Sequence, residues 1–255
     1  MSGNHVGSWP ALRRATPARI GLGRSGTGLP TAAHLDFQLA HARARDAVHA
    51  AFDAGSIAAQ VRACGLEPIL LRSAAGDRPT YLSRPDLGRR LDMESRERLI
   101  ARPASPIDIA FIIADGLSAT AAHAHAGALL IETLARLDPA LRIGPVAIVE
   151  GGRVAIGDEI GGILGAALVA VLIGERPGLS AADSLGVYVT WQPAPGTVDA
   201  ARNCLSNIHP AGLPISSAAE RLAHLLHTAW CHRMTGVTLG RRLAADASSR
   251  TGQRG

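Results

Sequence analysis

The chain contains no lysine: all 26 of its basic residues are arginine. In an alanine-rich chain this points to the coding bias of a GC-rich genome rather than to a functional choice. Aromatics are scarce too, at 3% of residues, and the arginines are dispersed, so the stacking platforms and clustered basic surface of a nucleic-acid binder are missing. The net charge of +5 favours instead a phosphate-bearing ligand or an acidic partner protein. Cys64, Cys204 and Cys231 are odd in number and far apart, with no CxxC spacing, which excludes a common zinc cluster and fits free thiols in a reducing cytosol. The longest apolar run, Gly162 to Gly174, is short and broken by glycine, whereas a membrane-spanning helix needs about 20 apolar residues. Met1 to Pro17 lacks the apolar core of a secretory signal. These absences together describe a soluble, cytoplasmic protein without membrane or nucleic-acid partners.

Several familiar catalytic arrangements are absent as well. There is no P-loop, and Gly116-Leu117-Ser118 begins like a nucleophile elbow but lacks the closing glycine. Cys204 and His209 lie five apart in one polar stretch, a spacing that rarely places a nucleophile and its base productively. His123 and His125, two apart on a helix, point in different directions, and His34 and His41 have no carboxylate partner. Gly21-Leu22-Gly23-Arg24-Ser25-Gly26 matches the dinucleotide-binding G-x-G-x-x-G. That motif needs a buried strand before it and an acid on a second strand about 20 residues later; the chain offers neither, so a glycine-rich loop is the better reading.

What is present is organised in two parts. Residues 1–103 read as an arm, without amphipathic period up to Arg19, followed by a largely helical lobe. In it Thr31 is a candidate N-cap for a helix from Ala32 to Phe52 with Leu35, Leu39 and Ala42 on one face. Arg102-Pro103-Ala104-Ser105-Pro106 reads as the boundary. Residues 104–242 alternate strand and helix, and 243–255 read as a disordered tail. The expected strands are Ile107 to Ala114, Val146 to Val149, the run starting at Ala166, and Leu185 to Trp191. The expected helices are Ala119 to Leu137 and Ser216 to Arg233, the latter with Ser217 and Glu220 as a capping box. The fold class implied is α/β: a doubly wound, mostly parallel, Rossmann-like sheet with an N-terminal helical lobe or arm.

Three successive strands end in an acid beside glycine or arginine: Asp115-Gly116, Glu150-Gly151 and Glu175-Arg176. In an open parallel sheet these fall on one edge, the carboxyl edge where ligands bind. The stretch from Arg202 to Pro210 brings amide, thiol and imidazole groups together and reads as a loop walling the same crevice. On residue chemistry alone this is a binding crevice without a convincing catalytic set.

The same segments carry a resemblance. GRSG from Gly23, ARARDAV from Ala42, YLSRPDLGRRL from Tyr81, IADGLSATA from Ile113, GRVAIGDEIGGILGA from Gly152, LIGERPGL from Leu172 with SLGVY from Ser184, and RNCLSNIHPAGLP from Arg202 occur in family order. The chain resembles the small (light) subunits of ethanolamine ammonia-lyase. The resemblance implies an adenosylcobalamin-dependent lyase that converts ethanolamine to acetaldehyde and ammonia by radical chemistry, in which a large TIM-barrel subunit holds the substrate. The small subunit would pack against it in a hetero-oligomer and enclose the cobalamin, while the cofactor carries the hard chemistry. It further implies that Val154, Glu175 and Cys204 contact the cobalamin, with no catalytic and no metal-binding residue on this chain. Asp115 and Arg202 are weaker candidates. The D-x-H-x-x-G motif that supplies a protein histidine to cobalt is absent, consistent with a retained dimethylbenzimidazole ligand. Some relatives carry an N-terminal extension that directs them into a bacterial microcompartment; residues 1–17 contain no amphipathic targeting helix, which leaves packaging open. A scaffold or assembly subunit without cofactor contact, and an independent nucleotide-dependent oxidoreductase using Gly21–Gly26, are the alternatives.

Overall fold

The computed structural model describes residues 9–252. The helices are α1 (Trp9–Ala15), α2 (Thr31–His49), α3 (Ala54–Ala63), α4 (Arg78–Ser83), α5 (Met93–Ile100), α6 (Ala119–Ala121), α7 (Gly127–Leu134), α8 (Ile156–Leu164), α9 (Ile215–His232) and α10 (Gly236–Gly252). The strands are β1 (Pro68–Arg72), β2 (Ile107–Ala114), β3 (Val146–Glu150), β4 (Ala166–Gly174), β5 (Leu185–Trp191) and β6 (Arg202–Ile208), in one sheet of order β1-β3-β2-β4-β5-β6. The first four run parallel, and β5 and β6 are antiparallel to their neighbours.

Every residue of β2 is buried, because helices cover both faces of the sheet. Ile109, Phe111 and Ile113 point into a core completed by α3, α7 and α9, whereas Ala110, Ile112 and Ala114 point into a second core with α5 and α8. The period-two alternation of a strand thus feeds two cores from one continuous apolar run. Each fully buried Phe or Ile here contributes about 1.5–3 kcal/mol of burial free energy. The chain leaves α8 through Gly165 at φ +66°, a left-handed C-cap that turns it directly into β4.

The coarse α/β architecture and the bounds of β2 and β5 agree with the sequence reading, and the differences are instructive. β1 comes from the segment assigned to the N-terminal lobe, yet it pairs with β3 along its whole length, so the sheet crosses the expected boundary. β5 runs antiparallel because only a short link, residues 175–184, separates it from β4, too little for the crossover that a parallel neighbour needs. The Arg202–Pro210 stretch is largely an edge strand rather than a loop: its polar residues are the exposed side of β6, while Arg202 and Ile208 are buried. α9 begins at Ile215 after Pro214 and makes no side-chain cap, so Ser217 and Glu220 do not form a capping box. α2 likewise starts at Thr31 itself, behind Pro30, and ends at His49. The helix expected over Ala119 to Leu137 is interrupted by a π segment, Ala122–Ala126, and ends at Leu134. The part of the expected tail from 243 to 252 continues α10, and 253–255 lie outside the described residues.

Candidate functional site

The parallel strands place their carboxyl ends on one edge, and the chain reverses direction across the sheet there: from β2 it goes to β3 on one side, then to β4 on the other. Such a reversal opens a crevice between the two strand ends. The Leu117 N–H donates to the Gly174 carbonyl at 2.9 Å, joining the ends of β2 and β4. A Cβ on Gly116 (φ +55°) would lie 2.2 Å from that carbonyl oxygen, so only glycine permits the approach. Above this floor lies a cleft of about 440 Å³ bordered by Gly116, Leu117, Val154, Glu175, Arg176 and Tyr188.

Glu175 follows β4 directly. Its Oε2 accepts from the Ser184 hydroxyl at 2.5 Å and from the Asn207 backbone N–H at 3.1 Å, and its own N–H donates to the Ser184 carbonyl at 2.9 Å. Asn207 sits at φ +62°, a left-handed position that turns its N–H toward the carboxylate. One carboxylate oxygen is thereby pinned, while Oε1 carries no hydrogen bond among the described residues and remains a free acceptor beside the cleft.

Val154 stands on the opposite side, on the turn after β3. That turn is held by Asp115, which is buried and whose Oδ1 accepts from the Gly151 and Gly152 N–H groups at 2.9 and 3.2 Å. Its Oδ2 accepts from Arg78, which also donates to the Val48 and Gly116 carbonyls. Burial pushes the Asp115 carboxyl up to about 6, with Arg78 and the backbone donors pulling the other way. Arg153 stacks over the buried Tyr81 ring at 4.1 Å and donates to the Tyr81 carbonyl, and Arg78 lies over the same ring at 4.8 Å. Arg153, Val154 and Tyr188 border both this cleft and a larger one of about 940 Å³.

Cys204 is exposed on β6, directly opposite Tyr188 of β5. Partial desolvation against β5 pushes its thiol above the ordinary value, the Tyr188 hydroxyl pulls it down, and the Glu175 carboxylate adds to the rise. Desolvation, then the neighbouring Cys204, push the Tyr188 phenol up to about 12.

The structure therefore brings Val154 and Glu175 to one cleft and sets Cys204 next to it through Tyr188. The other two strand-end acids do different work. Asp115 is a buried strut, and Glu150 is exposed and pairs with Arg72 at 3.2 Å. Arg202 is buried against Asp158 and cannot reach the crevice. Cys204 does not pair with His209, which is buried and bonded to Asn207. The Gly21–Gly26 stretch runs into a turn closed between Ser25 and Gly28, and among the described residues no strand precedes it. Tyr81, Tyr188 and Arg153 escape a strand-end search because they enter from a helix, a strand interior and a turn. Their only sequence signal is their place inside the runs from Tyr81, Gly152 and Ser184 that carry the family resemblance. No group of three or more His, Cys, Asp or Glu residues suited to a metal ion occurs among the described residues, and no helix there is long and apolar enough to cross a membrane.

The fit to a corrinoid is chemically sound on this chain's side. Cobalamin's rim presents primary amides, which donate to a carboxylate oxygen such as the free Oε1 of Glu175 and pair with exposed backbone groups.

A family model described as "Ethanolamine ammonia-lyase light chain (EutC)" matches residues 7–240. The chain is 54% identical over 229 residues to the ethanolamine ammonia-lyase small subunit of Rhodopseudomonas palustris (strain BisA53), covering 89% of this chain and 88% of that one. It is 54% identical over 243 residues to the protein of the same name from Bradyrhizobium diazoefficiens, covering 94% and 93%. The corresponding protein of Azotobacter vinelandii is 54% identical over 236 residues, covering 91% and 87%.

Proposed function

The chain belongs to the ethanolamine ammonia-lyase light-chain family, and from that premise we propose that it is the small subunit of a hetero-oligomeric lyase and closes one side of an adenosylcobalamin site at the carboxyl edge of its sheet. Cobalamin, when bound, supplies the radical that converts ethanolamine to acetaldehyde and ammonia. This chain orients it: the free Oε1 of Glu175 accepts a rim amide, backbone groups beside Val154 pair with another, and the Cys204–Tyr188 pair forms the adjoining wall. No residue of this chain acts on the substrate, which belongs to the large subunit.

The observation that carries this reading is the state of Glu175, with one oxygen pinned by Ser184 and Asn207 and the other left free at a crevice where strand order reverses. The arm and α2 are assigned to the large-subunit contact. α2 buries only Ala47 within the chain, while Leu35 and Leu39 on its apolar face are 57% and 50% exposed. A helix with so little of its own packing needs a partner to be stable.

The test is to assemble this chain with the large subunit, add adenosylcobalamin, and record the corrin absorption that survives gel filtration. Glu175→Ala is expected to weaken retention while the complex still assembles. Unchanged retention would remove Glu175 from the site. A wild-type complex that assembles but never retains cobalamin would favour the scaffold reading instead.

A further inference from the structure

We propose that the larger of the two clefts is an anion subsite, in which Arg89 and Arg153 receive the phosphodiester of cobalamin's nucleotide loop. The inference rests on the cobalamin reading above and adds a second address to it. The cleft, about 940 Å³, shares Arg153, Val154 and Tyr188 with the one beside Glu175, so a ligand that spans these residues occupies both.

The charges lining it are not balanced. Four acids border the cleft, and each lies in an ion pair: Asp86 with Arg84 and Arg90, Glu159 with Arg96, and Asp158 and Asp199 sharing Arg202. Arg89 and Arg153 border the same cleft, and among the described residues neither has an acidic partner. The Arg89 side chain makes no hydrogen bond there. The Arg153 side chain donates only to the Tyr81 carbonyl through Nη2, which leaves Nη1 without a partner, while Nε is buried out of a ligand's reach. Unmatched guanidinium donors facing a cleft are a receptor for an oxyanion.

The two arginines are fixed relative to one another by the backbone. The Arg153 N–H donates to the Gly88 carbonyl at 2.7 Å, which ties the turn Leu87–Arg89 to the turn that carries Val154. A Cβ at Gly88 would lie 2.8 Å from Arg153 Cγ and 3.1 Å from Tyr81, so glycine lets the two turns close on each other. The amide side chains of a corrin are neutral. The anionic group of cobalamin is the phosphodiester of its nucleotide loop, and it is the group that two unpaired guanidinium ions select. A free phosphate presents the same chemistry, so the experiment must separate the two sources.

The complex with the large subunit is titrated with adenosylcobalamin and with adenosylcobinamide, which keeps the corrin and its amides but lacks the nucleotide loop. Arg89→Gln is expected to weaken retention of adenosylcobalamin about tenfold, the loss of one charge-assisted contact, and to leave adenosylcobinamide unchanged. Inorganic phosphate is expected to weaken cobalamin retention by the wild-type complex and not by the Arg89→Gln complex. Equal weakening of both corrinoids, or of neither, would overturn the subsite. Phosphate bound at the cleft without cost to cobalamin retention would assign it to free phosphate and overturn the subsite too. If the wild-type complex retains neither corrinoid, the cobalamin reading and this inference fall together. Glu175→Ala, expected to weaken both corrinoids, separates the two sites.

Discussion

Arg202 and Asp158 form a buried bidentate pair, with Nη1 2.6 Å from Oδ1 and Nη2 2.7 Å from Oδ2 and side chains only 3% and 2% exposed. The same guanidinium donates to Thr190 and to the Thr197 carbonyl, so each neighbour of the charge is engaged. The pair locks the start of β6 to the first turn of α8. Removing one partner strands the other charge in a low-dielectric interior, and Arg202→Ala is expected to cost about 3–5 kcal/mol, measured by denaturant unfolding. Arg202→Met combined with Asp158→Leu should recover most of that loss, because no charge is left buried. A loss under 1 kcal/mol for the single change would mean that water reaches the pair.

Asp115 makes stability depend on pH in a direction opposite to that of most carboxylates. Its folded value, about 6, lies above its unfolded value, so the native state holds this proton to higher pH. The linked contribution favours folding in full below about pH 4, fades as pH rises through 4 to 6, and is absent above. For a shift of this size the span is about 3 kcal/mol. Thermal melts of the wild type and Asp115→Asn, compared across pH 4 to 8, should therefore diverge in the wild type's favour toward acid. A difference that does not vary with pH would mean that Asp115 titrates in the ordinary range.

The exposed side of α2 predicts an assembly defect without a folding defect. Leu35→Glu with Leu39→Glu should change the melting of the isolated chain little, since at least half of each side chain is already exposed. Association with the large subunit should weaken by about 1–3 kcal/mol per buried leucine, read by titration in an analytical ultracentrifuge. Unaltered association would assign the contact to another surface.

Cys204 offers a chemical footprint. Cys204 and Cys231 are exposed and Cys64 is half-buried. Because desolvation holds the Cys204 thiol above its ordinary value, its alkylation in the isolated chain should be slow at neutral pH and accelerate well into the alkaline range. In the assembled, cobalamin-loaded complex Cys204 should be protected, followed by mass spectrometry of iodoacetamide-labelled peptides. Labelling of Cys204 at the same rate in both states would place it away from the enclosed cofactor.

The residues of the sheet were legible in the sequence to differing degrees. β2 and β4 stand out because strands covered on both faces are continuous apolar runs, here closed by the turn pairs Asp115-Gly116 and Gly174-Glu175. β6 reads as a loop in the sequence because an edge strand with one solvated side alternates polar groups, and Asn203, Ser206 and Asn207 mask the buried Arg202 and Ile208. The π segment is invisible to a search for helical period, since its wider turn shifts the register only locally. Glu175 follows from its position after a buried strand. Arg89 does not: its lack of a partner is a property of where Arg84, Arg90, Arg96 and Arg202 find theirs, and no linear pattern encodes that.

Glu175 leaves the ribosome well before the groups that aim it. Ser184 comes nine residues later and Asn207 comes 32 residues later, at the end of the final strand of the sheet. A nascent chain that stops short of β6 possesses the carboxylate but not its orientation. On the proposed function, the site beside Glu175 is therefore completed only once β6 has joined the sheet edge, and a chain lacking β6 has no preformed site for a cofactor.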